Sequence, residues 1–263
     1  MPKKKDPSVT FLNKFGYNVV KLPRAGIEPL DVIGRDETTQ WLGSLTTVWK
    51  SALAVPQASA PRPAGVVNGQ KTDQLELSFG LKILANSLAA FGATVPSVDF
   101  AYRRARKVQF AYTNVTSTVV TPFDAGNYLA KGTLNTDSPV VAHYFRDPES
   151  EAFLILDVLK SDSITVTATD ESGREIGVDV PAIQGVVGAN VAVKTAGGSD
   201  STVTYTGQTP VTFGFIVSAI EFDGDKWSLQ GAAPDGGLAF GVGDQEQPSQ
   251  APVLLGTACR VKI

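Results

Sequence analysis

Residues 152–170, AFLILDVLKSDSITVTATD, restrict the fold more than any other stretch of the chain. They begin as a continuous apolar run and end in alternation through Ile164, Val166 and Ala168. A period of two belongs to a strand, because successive side chains point to opposite faces of a sheet. The turn Glu171-Ser172-Gly173-Arg174 leads into EIGVDV, with Ile176, Val178 and Val180 on one face. Strand, turn and strand together predict a hairpin over 152–180.

The rest of the chain is read around this unit. Residues 15–36 hold two short apolar runs, Tyr17–Leu22 and Ile27–Ile33, separated by a Pro-Arg-Ala-Gly turn, which predicts two strands. Residues 38–50 place Trp41, Leu45, Val48 and Trp49 at helical spacing, with Asp36 positioned as a cap. Residues 54–70, with three prolines and two glycines, read as an exposed loop. Leu75, Leu77 and Phe79 alternate as in a strand, and Leu81, Leu84, Leu88 and Phe91 share a helical face that Gly92 ends. Residues 98–120 alternate at Val98, Phe100 and Tyr102 and again at Val108, Phe110 and Tyr112. Residues 181–194 open on proline, which favours a helix, although their valines leave a strand open. STVTYTG, VTFGFIVSAIEF and KWSLQGA read as three further strands. The pattern as a whole predicts an α+β fold with an extended, twisted antiparallel sheet flanked by helices.

Composition narrows the function. A chain of 263 residues with 43% hydrophobic and 19% charged residues has the make-up of an ordinary folded soluble protein. Its formal net charge of −3 argues against a general polyanion binder, and no nucleic-acid signature accompanies the local basic runs. The N-terminal run of three lysines lacks the apolar core of a secretory signal, and no stretch is apolar for the length of a membrane-spanning helix. Transmembrane β-strands remain open to it, since they need only about 9–11 residues and alternate apolar with polar.

Catalytic chemistry finds little to work with. His143 is the single histidine, and no G-x-S-x-G motif accompanies it; a structural role is the expectation, a hydrolase built on it the alternative. One cysteine, Cys259, makes neither a disulfide framework nor a zinc site, and it fits the cytosol. No phosphate-binding or dinucleotide fingerprint occurs. No metal, cofactor or enzymatic activity is expected.

Two features fit no catalytic scheme. Arg103, Arg104, Arg106 and Lys107 put four positive charges in five residues beside alternating strands. A solvated turn would explain them, and so would an anionic lipid surface, where each basic residue contributes about 1 kcal/mol. The tail is the second. A Gly- and Pro-rich stretch over 233–252 precedes a final segment in which Val253, Leu255, Cys259, Val261 and Ile263 share one face. It is either a last edge strand or a detachable element.

Gly16-Tyr17-x-Val19-Val20-x-Leu22-Pro23-Arg24, the following Ile27-x-Pro29-Leu30, the strand pair from residue 152, and the length with its short tail resemble the bacterial gasdermins. Fungal gasdermin-like cell-death proteins are similar in size and share the resemblance. It implies an autoinhibited pore former, with a pore-forming domain over 1–243 and a linker plus inhibitory peptide over 244–263. Proteolysis at an accessible linker (Asp244, Gln245, Glu246, Gln247) would release the tail. The chain, monomeric while soluble in the cytoplasm, would then oligomerise in the inner or plasma membrane as a β-barrel pore. In bacteria the outcome is lytic death in anti-phage defence; in the fungal branch the trigger would be an incompatible partner protein. Val108, Phe110, Tyr112, Ile164 and Val166 would lie on inserting strands, with anionic lipids and an activating protease as partners and no nucleic acid. Family members often carry an acylated cysteine near the N-terminus; this chain begins MPKKKDPSV and lacks it. A non-catalytic β-rich binding module is the competing class.

Overall fold

The computed structural model describes residues 11–36, 38–94, 98–147, 149–222, 226–231 and 239–240. After a helical turn at residues 11–13 come strands β1 (Asn18–Arg24), β2 (Asp31–Arg35) and β3 (Thr39–Ser44), the single-turn helix α1 (Leu45–Val48) and β4 (Trp49–Ser51). The two-residue strands β5 (Arg62–Pro63) and β6 (Leu75–Glu76) precede helix α2 (Leu77–Ala90). Strands β7 (Lys107–Thr113) and β8 (Thr116–Val119), helix α3 (Pro122–Ala130), strand β9 (Gly132–Leu134) and helix α4 (Pro139–Arg146) lead to β10 (Glu151–Thr169). Helix α5 (Val180–Val187), β11 (Val191–Ala196), β12 (Ser199–Phe222), β13 (Trp227–Gly231) and β14 (Ala239–Phe240) complete the described chain.

The long strands β10 and β12 pair antiparallel from Ala152↔Ile220 to Thr167↔Thr202, and the other strands assemble on their outer edges. Along β10 lie β2, β8 and β7 in turn; along β12 lie β13, β1 and β11. Both β7 and β8 run antiparallel to β10, so residues 107–119 form one strand bent at Asn114, whose φ is +54°. The path β14-β1-β12-β10-β2-β3 curls until β14 lies against β3, and the Arg24 guanidinium sits 5.5 Å from the Trp41 ring. Val20, Ile33, Phe153, Ile155, Phe215 and Val217 fill the inside of this curled end. The α+β fold with its extended antiparallel sheet is the one expected from the sequence.

Several segments differ from their sequence reading. Residues 38–50 form β3, one helical turn and β4 rather than a helix: β2 takes β3 as its partner, with Ile33 opposite Trp41, and Gly43 turns the chain at φ +105°. Asp36 caps no helix; it accepts hydrogen bonds from the Thr38 amide, His143 and Tyr144. The strand expected through Phe79 ends at Glu76, and Leu77 already begins α2. Val98, Phe100 and Tyr102 belong to a 3-10 turn (Asp99–Tyr102). Val98, just before the turn, and Tyr102, at its end, are both buried in the core, so their apolar character marks burial rather than a strand. The second leg of the 152–180 hairpin does not form. β7 and β12 already flank the end of β10, so Glu175 makes only an isolated bridge to Thr169 before the chain enters α5. STVTYTG and VTFGFIVSAIEF are one 24-residue strand, with Gly207–Pro210 passing as a bulge between the pairs Ser163↔Thr206 and Ser161↔Val211.

The 54–70 loop is exposed for most of its length, yet it runs along the sheet edge. Amides of Ser59, Ala64, Gly69 and Thr72 donate to the carbonyls of Val119, Val115, Tyr112 and Phe110. The linker residues Asp244 to Gln247, the tail residues Val253, Leu255, Cys259, Val261 and Ile263, and the 243/244 boundary lie outside the described residues.

Candidate membrane-inserting surface

At the end of the sheet away from its curl, β7, β10, β12 and β11 lie side by side in strict register. Tyr112, Ile164, Tyr205 and Val193 form one row across the four strands, and Phe110, Val166 and Val203 form the next. Val108 and Ala168 pair beyond them. These side chains are all buried, and Tyr112 stacks on Phe213 with ring centroids 3.9 Å apart. The sequence-predicted set Val108, Phe110, Tyr112, Ile164 and Val166 is therefore brought onto one face. Val191, Val193, Val203 and Tyr205 share that face and lie outside the predicted set, although the alternation in STVTYTG carries the signal for the last two.

Two helices cover this apolar face. Leu81, Leu84 and Leu88 of α2 are buried against it, as are Ile183 and Val187 of α5. The contact at α2 is close: a Cβ on Gly80 would stand 2.1 Å from Val108 Cγ2, so glycine there lets the helix backbone approach the strand. The Asp179 carboxylate caps α5 through the Ala182 amide at 3.1 Å, and Pro181 occupies its first turn. The 3-10 turn adds Tyr102, whose hydroxyl lies 2.8 Å from that of Tyr205. The cover is therefore separate from the sheet and joined to it mainly by side-chain packing.

The reverse face is polar and carries few charges. Thr165 and Thr204 pair their hydroxyls at 2.9 Å, Thr167 and Thr202 at 3.1 Å, and Ser163 and Thr206 at 3.2 Å. Gln109 and Thr113 continue these rows on β7, and Lys194 stands next to Thr204 on β11. Cross-strand Thr pairs stabilise a sheet face by roughly 0.2–1 kcal/mol each. One continuous apolar face and one hydroxyl face is the alternation that membrane-crossing β-strands require. The register covers seven residues of β7 and β10, fewer than the ~9–11 of a full crossing. Ile176, Val178 and Val180 continue the apolar parity beyond β10 although they lie in no strand.

The basic cluster stands at the tip of this surface. Arg103, Arg104 and Arg106 are exposed and Lys107 is half-buried at the first residue of β7. Their backbone is pinned: the Arg106 amide donates to Thr169 O at 2.8 Å, and its carbonyl accepts from the Leu77 amide at 3.0 Å. The Arg103 Nε donates to Phe100 O at 2.8 Å, and Lys107 Nζ reaches Glu171 O at 3.4 Å. A polybasic turn thus ends the same strands that bear the amphipathic faces.

His143 lies elsewhere, half-exposed on α4. Its ring nitrogens meet Asp36 at 3.2 Å and Asp147 at 3.6 Å, carboxylates rather than a hydroxyl or thiol to activate. Among the described residues no three of His, Cys, Asp and Glu gather as metal ligands, and no helix is long and apolar enough to cross a membrane.

Comparison with known proteins covers nearly all of this architecture. The family model described as Bacterial Gasdermin Family matches residues 20–228. A protein from Vitiosangium sp. named Gasdermin bGSDM is 36% identical over 252 residues, 95% of this chain and 94% of the relative. One of the same name from Lysobacter enzymogenes is 31% identical over 258 residues, 94% of each. The solved structure of a bacterial gasdermin from Bradyrhizobium tropiciagri superposes with a TM-score of 0.61 over 86% of this chain and 91% of that one. At 16% identity that likeness speaks for the fold.

Proposed function

The chain belongs to the bacterial gasdermin family of pore-forming proteins, and from that membership we propose that it is held inactive by its C-terminal tail and released by proteolysis to oligomerise and insert. The observation that carries the reading is the four-stranded surface whose apolar face is covered by helices α2 and α5 of the same chain. Removing that cover exposes an apolar face together with a polar one, which is stable only where lipid meets the first and water the second. Ile176, Val178 and Val180 supply the residues by which β10 lengthens to span the bilayer. Arg103, Arg104, Arg106 and Lys107 meet anionic headgroups at the strand ends.

The trigger lies in residues 244–263. β14 pairs in parallel with β1 through Val19↔Ala239 and Val20↔Phe240 at the edge of the curled sheet, and the tail follows it in sequence. Each apolar tail side chain that docks there contributes roughly 1.5–3 kcal/mol of burial, and five such residues suffice to decide a two-state equilibrium. A cut between Asp244 and Gln247 leaves the peptide attached by its own affinity alone, and dilution then removes it. The resting protein is a cytoplasmic monomer, the active one an oligomer in the inner or plasma membrane, and the outcome is lysis of an infected cell.

The test is a chain ending at Gln247 beside the full-length chain. The truncated form should be toxic on expression and should release dye from anionic liposomes, while the full-length form is tolerated. Leu255→Asp should act in the same direction more weakly. A truncated chain that is folded, reaches the membrane and releases nothing would sink the autoinhibitory role of the tail.

A further inference from the structure

The register of the sheet also bears on what passes through the pore. We infer that the inner wall of the pore is a neutral hydroxyl surface whose sign of charge is set by Lys194, giving passage to solutes of both signs with a weak preference for anions. This rests on the pore-forming reading: when the apolar face of β7, β10, β12 and β11 meets lipid, the alternation of side chains turns the opposite face to the lumen.

The opposite face is specified row by row. Ala111, Thr165, Thr204 and Lys194 lie opposite one another on the four strands, and the next row is Gln109, Thr167 and Thr202. Hydroxyls and amides both donate and accept hydrogen bonds, so they solvate cations and anions alike and impose no strong selection. Lys194 is exposed and forms no ion pair with a carboxylate among the described residues. Lys107 and Asp200 share this face at the strand end, where their opposite charges offset one another and the Lys107 ammonium lies on Glu171 O. Repeated once per subunit, Lys194 makes a ring of positive charge on the inner wall, and rings of charged side chains set the sign of channel selectivity. Salt screens that ring over about 8–10 Å at physiological ionic strength and over about 30 Å at 10 mM, so the preference is weak in ordinary buffer and grows at low salt.

The experiment uses the full chain with a specific protease site placed at residues 244–247, cut in the presence of planar bilayers. Reversal potentials are read across a KCl gradient at low ionic strength. The expected result is anion preference for the parent and for Lys194→Arg, loss of preference for Lys194→Gln, and cation preference for Lys194→Glu. Conducting pores that prefer cations in the parent, or whose preference is unmoved by Lys194→Glu, overturn this inference alone. Absence of conductance from cut, folded and membrane-bound parent protein overturns the pore reading and this one with it.

Discussion

Tyr17 and Asp157 meet across the sheet through a 2.7 Å hydrogen bond from the phenol to Asp157 Oδ2. Ser117 Oγ donates to the other carboxylate oxygen, also at 2.7 Å. The carboxylate is buried at a bulge of β10, where the register to β12 shifts between Ile155 and Asp157. Burial pushes its pKa above the ordinary 3.8, and the two hydroxyls oppose that rise. The N-terminal motif is thereby anchored to the central strand, a structural role for a stretch that carries no catalytic residue.

Tyr17→Phe removes one donor from this carboxylate. We expect a loss of about 1.5–3 kcal/mol while the carboxylate is ionised, and a smaller loss once acid protonates it. Denaturant unfolding at pH 4 and pH 7 checks it. The sign for Asp157 itself follows from its raised pKa. Its contribution to stability is full below the ordinary value and is lost as pH rises through the folded-state value. Relative to Asp157→Asn, the parent should therefore become progressively less stable from about pH 4 upward. Equal slopes of stability against pH for the two proteins would contradict this.

Locking the cover should block the pore. Gly80→Cys with Val108→Cys, in a Cys259→Ser background, places two sulfurs where α2 touches β7. The required Cβ separation is about 3.8 Å. Oxidised and cut in the linker, this protein should bind liposomes without releasing dye, and reductant should restore release. Leakage from the oxidised form at the parental rate would show that α2 need not leave the sheet.

A charge on the apolar face should impair insertion. Phe110 and Val166 are paired in register and fully enclosed, so a charge there would unfold the resting protein first. Val193 on β11 is the better site, because a lysine stem at that sheet edge can carry its ammonium to water. Val193→Lys should leave the soluble fold measurable by thermal unfolding and cost roughly 2–4 kcal/mol near the bilayer midplane. Normal leakage from the folded variant would remove β11 from the inserting strands.

The polybasic turn should govern lipid choice. Replacing Arg103, Arg104, Arg106 and Lys107 with glutamine should weaken binding to anionic liposomes by up to about 4 kcal/mol, one per basic residue. The difference should shrink as salt is raised. Vesicle sedimentation across a salt series measures it; parental affinity for the quadruple variant at low salt would rule the cluster out.

The long central strand was legible because a continuous apolar run passing into alternation fits a strand that is apolar first on both faces and then on one. Helix α2 was legible because Leu81, Leu84 and Leu88 hold their period over two turns. The shared apolar face of β7 and β10 followed from the parity of Val108, Phe110, Ile164 and Val166. What pattern alone does not carry is partnership. Ile176 and Val178 alternate as well as any strand, yet β7 and β12 already hold both edges of β10. Trp41 fits a helical period, but β2 needed a neighbour. Lys194 stood in a segment readable as helix or strand, and only the register beside Thr204 placed it on the polar face.

The proline-rich stretch along β7 and β8 can be understood as polymer chemistry. A sheet edge with free amides and carbonyls is a reactive end, able to add another strand from another molecule. Here the carbonyls of Phe110, Tyr112, Val115 and Val119 are already spoken for by Thr72, Gly69, Ala64 and Ser59. The loop is a chain terminator that the chain carries on itself, with Pro61 and Pro63 lacking the amides to propagate a further strand. Growth from that edge waits on the terminator's departure: a strand from another molecule can add there only after the loop has left.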